Sequence, residues 1–132
     1  MRASDLLCHD ILTRLIAFDT TSRNSNLEMI TWIQDYLAGF NIATELTYDD
    51  DQRKANLFAT LGPAENSGGI ILSGHTDVVP IDGQDWVTDP FEMTEKDGKL
   101  YGRGTCDMKS FVAVSLAMVP HLLKRGLKVP IH

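Results

Sequence analysis

The run IILSG, residues 70–74, opens with three large apolar side chains at consecutive positions. A strand with this pattern has apolar residues on both faces and is typical of a parallel sheet that is covered by helices on both sides. Residues 42–48 instead alternate apolar and polar residues, as a half-exposed strand does, and NLFATL at 56–61 predicts another strand. Because helical segments alternate with these strands, the sequence predicts an α/β fold with a layered, mostly parallel sheet flanked by helices.

Two helices are predicted before the first strand. Residues 3–18 place apolar side chains on one stripe with a period of 3.6, which predicts a helix with one buried face. The second helix is expected to follow the capping-box pair Ser25 and Glu28 and to stop at Gly39.

A third helix and a hairpin are predicted in the second half of the chain. Residues 108–125 are apolar nearly all round, which indicates a buried helix that Pro120 should kink or end early. Between two short runs, Asp97 and Gly98 form a dipeptide that strongly favours a tight β-hairpin turn.

Length, charge and cysteine content exclude several classes of protein. The 132 residues fit one globular domain, and 12 basic against 18 acidic residues give a net charge of −6, which argues against a nucleic-acid partner. The segment MRASDLLCHD lacks the apolar core of a signal peptide, and no stretch has the length of a membrane span, so no membrane contact and a cytoplasmic location are expected. Cys8 and Cys106 are far apart in sequence and are expected to be reduced thiols.

A histidine and an aspartate follow the apolar run directly. His75 and Asp77 come at the carboxyl end of the predicted strand, where sites of open α/β sheets gather. Imidazole binds zinc or cobalt through one nitrogen, and its other nitrogen needs an acceptor such as a carboxylate, which Asp77 could supply. A surface histidine beside an aspartate that caps a loop is the alternative, and these two residues alone do not decide between them.

A second carboxylate stands at the threshold of the third helix, in GRGTCDMK at 102–109. Asp107 could bridge two divalent ions about 3.5–4 Å apart, as carboxylates do in co-catalytic hydrolases. It could equally be a helix N-cap, for which aspartate is a preferred residue. The glycines do not form a dinucleotide or phosphate loop, because the third glycine and the Walker lysine pattern are missing. Cys106 has no second cysteine near it in sequence, so an unpaired thiol is favoured over a metal ligand.

The motifs SGHTDVVP and YGRGTCDMK, with DGQDWVTDPF between them, resemble the superfamily of zinc-dependent aminoacylases, deacylases and carboxypeptidases. The resemblance implies the di-zinc aminopeptidase-like catalytic fold. It implies that His75 ligates one Zn²⁺, that Asp107 bridges two, and that Asp77 is the catalytic residue that supports the histidine. Co²⁺ could replace zinc, and no residue for an organic cofactor is implied. The resemblance also implies a cis peptide bond after Asp107.

Within that superfamily, FDTTSRNSN, GQDW and the cysteine of GTCDMK look most like the acetylornithine deacetylase branch. This resemblance implies hydrolysis of N-acetylornithine to ornithine and acetate, a step of arginine biosynthesis, with a small acylated amino acid as substrate and a homodimer as the full-length form. Succinyl-diaminopimelate or another acylated amino acid or dipeptide is the alternative substrate.

The superfamily also has a pair of adjacent glutamates, one of them the general base, which this chain lacks. Its five glutamates stand singly, at positions 28, 45, 65, 92 and 95. The resemblance therefore implies that residues 1–132 are the N-terminal part of the metal-dependent catalytic domain, without the rest of that domain or the lid and dimerisation domain. Such a fragment is expected to be inactive and to expose apolar surface that promotes self-association. A short, non-catalytic chain is the alternative from another class.

Overall fold

The structure is a computed structural model that describes residues 7–66 and 68–132. Its helices and strands follow one another as α1 (Cys8–Ile16), α2 (Leu27–Ala38), β1 (Thr44–Tyr48), β2 (Ala55–Ala59), β3 (Thr94–Lys96), β4 (Lys99–Tyr101) and α3 (Lys109–Arg125). Helices and strands thus both occur, which confirms the α/β class. The beginning of the first predicted helix, residues 3–6, lies outside the described residues.

The core lies where the three helices meet. Apolar side chains from one stripe of each helix are buried together: Ile11, Leu15 and Ile16 of α1, Met29, Ile33 and Tyr36 of α2, and Ala113, Leu116 and Val119 of α3. The hydroxyl of Tyr36 donates a hydrogen bond of 3.0 Å to the backbone carbonyl of Leu116, so its polar end is satisfied inside the core.

The sheets are smaller than the sequence predicts. β1 pairs with β2 and β3 pairs with β4, and both ladders are antiparallel. Parallel pairing occurs in the described ranges as single bridges, between Thr21 and Val78 and between Ile70 and Ile131. The layered, mostly parallel sheet therefore stays a prediction, since the strand pairing within 7–66 and 68–132 consists of hairpins and bridges.

The expected burial of residues 70–74 is wrong. Ile70, Ile71 and Leu72 are 55%, 70% and 40% exposed. Ile70 and Leu72 do donate backbone hydrogen bonds to Pro130 and His132, so the segment is extended and paired along one edge. The predicted strand is thus reduced to a single bridge at Ile70, and burial of the segment depends on covering elements that the described residues do not supply.

Two of the local signals for helix ends and turns are confirmed, and two others are not. α2 is followed by Gly39 as its C-cap, although its N-cap is Asn26 and the predicted capping box does not form. Asp97 and Gly98 connect β3 to β4 with φ values of 53° and 68°, as a tight hairpin turn requires. Pro120 lies inside α3 and does not end it early, because the helix continues to Arg125.

The prediction that the third helix is buried all round is also wrong. One face of α3 packs in the core, but Phe111, Val114 and Met118 are 37%, 52% and 43% exposed. Together with the exposed residues 70–72, they leave a substantial apolar surface open to solvent.

A groove of 620 Å³ lies between β2 and the extended residues 71–77. Apolar side chains of α2 and α3 line it, including Ile33, Leu37, Leu116 and Val119. His75 and Asp77 belong to the same lining. The groove therefore joins the apolar surface to the residues that the sequence marks for chemistry.

None of the helices in 7–66 and 68–132 combines the length and the apolar character that crossing a bilayer requires.

Candidate metal centre

His75 and Asp107 meet in space although 32 residues separate them. The Nε2 atom of His75 lies 2.9 Å from Oδ1 of Asp107. Both side chains are open to solvent, with 48% and 83% of their surface exposed. The convergence on which the metal hypothesis depends is therefore present.

The other side of the imidazole faces Asp77. Nδ1 of His75 lies 2.9 Å from the backbone carbonyl oxygen of Asp77 and 3.2 Å from its carboxylate Oδ1. Both acceptors favour a proton on Nδ1, and a neutral ring would then present the lone pair of Nε2. Asp77 thus lies behind the histidine, on the side of the ring away from Asp107, and its catalytic role stays a prediction.

The loop before α3 places Asp107. Gly104 takes φ 88°, and a Cβ atom there would lie 2.7 Å from a methyl group of Val78, so this loop packs closely against the strand-like segment that follows His75. The peptide bond between Asp107 and Met108 is cis, as the resemblance implies. The N-cap of α3 is Met108, so the alternative that Asp107 caps this helix is wrong.

The charges of the cluster favour a cation between the carboxylates. The hydrogen bond to the Asp77 carbonyl raises the pKa of His75; partial burial opposes the shift and the Asp107 carboxylate adds to it. A hydrogen bond from the Ser22 hydroxyl is the main cause that lowers the pKa of Asp77, which keeps this carboxylate ionised. The metal-free cluster thus stabilises an imidazolium, and a divalent cation would have to displace its Nε2 proton.

The donor set fits two of the positions around a zinc ion. Nε2 of His75 and Oδ1 of Asp107 lie 2.9 Å apart, at hydrogen-bond distance, and imidazole nitrogen and carboxylate oxygen are both atom types that zinc accepts as ligands. No group of three or more His, Cys, Asp or Glu side chains within 7–66 and 68–132 could hold a metal ion. The exposed thiol of Cys106 does not complete such a group. Further ligands would have to come from outside the described residues.

Sequence reasoning missed two residues that support this centre. The hydroxyl of Ser22 donates a hydrogen bond of 2.6 Å to Oδ2 of Asp77. Lys109 is fully buried, and its ammonium donates to the carbonyls of Leu15 and Phe18 at 2.8 and 2.7 Å. Burial lowers the pKa of Lys109 to about 8. A lysine two residues after Asp107, at the first position of the apolar helix α3, is the one signal that the sequence offers.

Comparisons with known proteins agree with these observations. Residues 71–132 match the Peptidase family M20/M25/M40. The chain is 41% identical over 110 residues to an acetylornithine deacetylase of Shigella sonnei and 43% identical over 108 residues to one of Pasteurella multocida. These matches cover 82% and 81% of the chain, and it spans 28% of the length of either relative.

A solved structure is also similar. Human carnosine dipeptidase 1 superposes with a TM-score of 0.78 at 27% identity, over 94% of this chain and 30% of that protein. The resemblance carried by SGHTDVVP and YGRGTCDMK is thereby confirmed, since both motifs lie in or next to the matched region.

Proposed function

We propose, from the match of residues 71–132 to the Peptidase family M20/M25/M40, that the chain is part of a metal-dependent amide hydrolase that removes the acetyl group of N-acetylornithine. The products would be ornithine and acetate, in arginine biosynthesis. The names of the two curated relatives support this substrate. A homodimeric full-length form and a cytoplasmic location belong to the same proposal.

The observation that carries the proposal is the contact between Nε2 of His75 and Oδ1 of Asp107. Enzymes of this family are generally zinc-dependent, and imidazole and carboxylate are the ligand types that zinc and cobalt accept. Both groups are reachable from solvent, so an ion could enter without opening the core.

Each residue of the cluster has a distinct role in this proposal. His75 would hold an ion through Nε2, and Asp107, whose second carboxylate oxygen is free to turn outward, would bridge to another. Asp77 would accept a hydrogen bond from the Nδ1–H group and so favour the tautomer that leaves the lone pair of Nε2 available. A bound divalent ion supplies Lewis acidity toward an amide carbonyl and toward water.

The general base and the remaining ligands are not among the residues assembled at this centre. We therefore propose that residues 1–132 form the N-terminal part of the catalytic domain and are inactive alone. The coverage of 28% of the relatives' length supports this division.

A second substrate class has its own support. Human carnosine dipeptidase 1 superposes with a TM-score of 0.78, and this similarity supports a dipeptide as the second candidate substrate. The higher identity of 41–43% to acetylornithine deacetylases favours the acylated amino acid.

Metal binding by the chain itself tests the centre. Zn²⁺ and Co²⁺ titrations followed by calorimetry should show one weak site that is lost in His75→Ala and in Asp107→Asn. His121→Ala and Asp50→Asn change the same residue types at exposed positions away from the cluster and should leave binding unchanged. Equal affinities in all five proteins would overturn the assignment.

A chimera tests the activity. Residues 1–132 would replace the matching segment of the Pasteurella multocida relative, and the product would be assayed with N-acetylornithine, N-succinyl-diaminopimelate and a dipeptide. Activity that depends on His75 and Asp107 but not on His121 is expected. Activity that survives Asp107→Asn would contradict the bridging role.

A further inference from the structure

Ser22 contacts the centre from a loop that the sequence marks only as a connection. We propose that Ser22 is a positioning residue: its hydroxyl holds the Asp77 carboxylate against His75 and thereby strengthens the binding of a divalent cation by His75 and Asp107. This inference rests on the proposed function, because it assigns the residue that orients the supporting carboxylate of the same site.

The backbone fixes Ser22 beside Asp77. Thr21 forms a parallel bridge with Val78, the Ser22 amide donates to the Val78 carbonyl at 3.1 Å, and the Val78 amide donates to the Thr20 carbonyl at 3.1 Å. The Thr20 hydroxyl adds a hydrogen bond of 2.6 Å to the Thr76 carbonyl. Thr20 and Thr21 are buried, at 3% and 2% exposure. The loop is therefore a fixed support rather than a flexible connection.

The Ser22 side chain and its carbonyl are both engaged. Its hydroxyl lies 2.6 Å from Oδ2 of Asp77, and its backbone carbonyl accepts a hydrogen bond from the ammonium of Lys54. A hydroxyl on the first side-chain carbon, as in serine or threonine, can reach this carboxylate from the backbone position that the bridge fixes. An alanine there would keep the backbone bridge and remove the contact to the carboxylate, together with a longer contact of 3.3 Å from the hydroxyl to the Val78 carbonyl oxygen.

The contact matters because an exposed aspartate side chain can change rotamer about its Cα–Cβ bond, and its carboxylate also turns easily about the terminal bond. The Asp77 side chain is 53% exposed, so solvent competes for both oxygens. With Oδ2 held by Ser22, Oδ1 stays 3.2 Å from Nδ1 of His75 and places a negative charge behind the imidazole. The backbone carbonyl of Asp77 also accepts from Nδ1, so loss of Ser22 should weaken the support without removing it.

Cobalt binding separates this role from a general effect on the fold. Partners of a metal-ligating histidine typically change affinity by 10- to 100-fold, so Ser22→Ala, one contact further out, should weaken Co²⁺ binding by roughly 10-fold and alter the visible Co²⁺ spectrum. Ser22→Thr keeps the hydroxyl and should retain most of the affinity. Ser25→Ala removes a hydroxyl from the same loop, where it accepts from the Leu27 amide, and should bind as wild type does.

A second measurement needs no metal. In the metal-free protein the Hα–Hβ couplings of Asp77 should report one side-chain rotamer in wild type and Ser22→Thr, and averaging in Ser22→Ala. Thermal melting of all four proteins shows that each is folded at the temperature of the comparison.

The outcomes distinguish the two hypotheses. Equal Co²⁺ affinity and equal Asp77 couplings in wild type and Ser22→Ala would overturn the role of Ser22. A wild type that binds Co²⁺ no better than His75→Ala would overturn the metal centre, and with it the effect of Ser22 on affinity, while the couplings would still decide whether Ser22 holds the carboxylate.

Discussion

The loop 19–22 and the groove between β2 and residues 71–77 both contact the segment 71–78, but hydrogen bonds hold the loop in place whereas much of the apolar groove wall is exposed to solvent. Side-chain and backbone hydrogen bonds tie the loop to residues 76–78. In the groove, Ile71 is 70% exposed and Phe111 is 37% exposed, with apolar helix residues between them and β2. Hydrogen bonds within the chain thus hold Asp77 in place, whereas no described residue covers the apolar walls of the groove.

The largest expected effect on stability is that of replacing Lys109, which connects α3 to the end of α1. Its ammonium donates to two carbonyls at the end of α1, and Lys109→Ala would remove both hydrogen bonds and leave a cavity, at a cost of about 3 kcal/mol in the free energy of unfolding. Urea denaturation measures the change. Lys124→Ala in the exposed last turn of the same helix should stay within about 0.5 kcal/mol. Similar losses for the two lysines would show that the buried ammonium does not anchor α3 to α1.

Val78 and Ile71 lie in the same segment, one buried and one exposed, so replacing each by alanine compares the loop side with the groove. Val78 is 3% exposed between the loop and Gly104, so Val78→Ala should cost about 2 kcal/mol from lost burial and a small cavity. Ile71→Ala should change stability by less than about 0.5 kcal/mol, because its side chain is already largely in water. Thermal and urea unfolding of both variants measure the difference. A large loss at Ile71 would mean that the groove wall is packed in solution.

The apolar groove also predicts self-association. Exposed apolar patches promote contacts between molecules, so the chain should sediment partly as dimers or larger species at high concentration. Ile71→Lys should reduce this association with little change in stability, whereas Lys128→Ala, at an exposed position elsewhere, should not affect it. Sedimentation velocity over a concentration series measures both. A wild type that remains a monodisperse monomer would contradict the expectation.

The sequence predicts features that depend on neighbouring residues and misses those that depend on distant ones. The turn at Asp97 and Gly98 and the end of α2 at Gly39 follow from local backbone preferences. The exposure of Ile71 could not be predicted, because an apolar pattern shows which residues are apolar and not which elements cover them. The centre was located through two motifs, and its support was missed because Ser22 and Asp77 are 55 residues apart.

The smallest expected effect concerns Asp19, at the start of the supporting loop. Slight burial would raise the pKa of this carboxyl, but hydrogen bonds from the hydroxyl and amide of Thr21 and from the side chain of Asn24 outweigh it and lower the pKa. The folded protein therefore binds this proton less readily than the unfolded chain, whose aspartates titrate near about 3.9. The resulting stability is present above that pH and is lost as the pH falls through the folded value.

Asp19→Asn removes this contribution to stability. Because the other carboxyl groups titrate alike in both proteins, the difference between wild type and variant reports Asp19 alone. Between pH 6 and pH values below about 3, the free energy of unfolding should fall more in wild type than in Asp19→Asn. The reason is that acid protonates Asp19 more readily in the unfolded chain than in the folded protein, and only wild type has this group. Urea denaturation at the two pH values measures the two losses. Equal losses would mean that the Thr21 and Asn24 contacts do not stabilise the ionised carboxylate, and that the loop depends on its backbone bridge to Val78 instead.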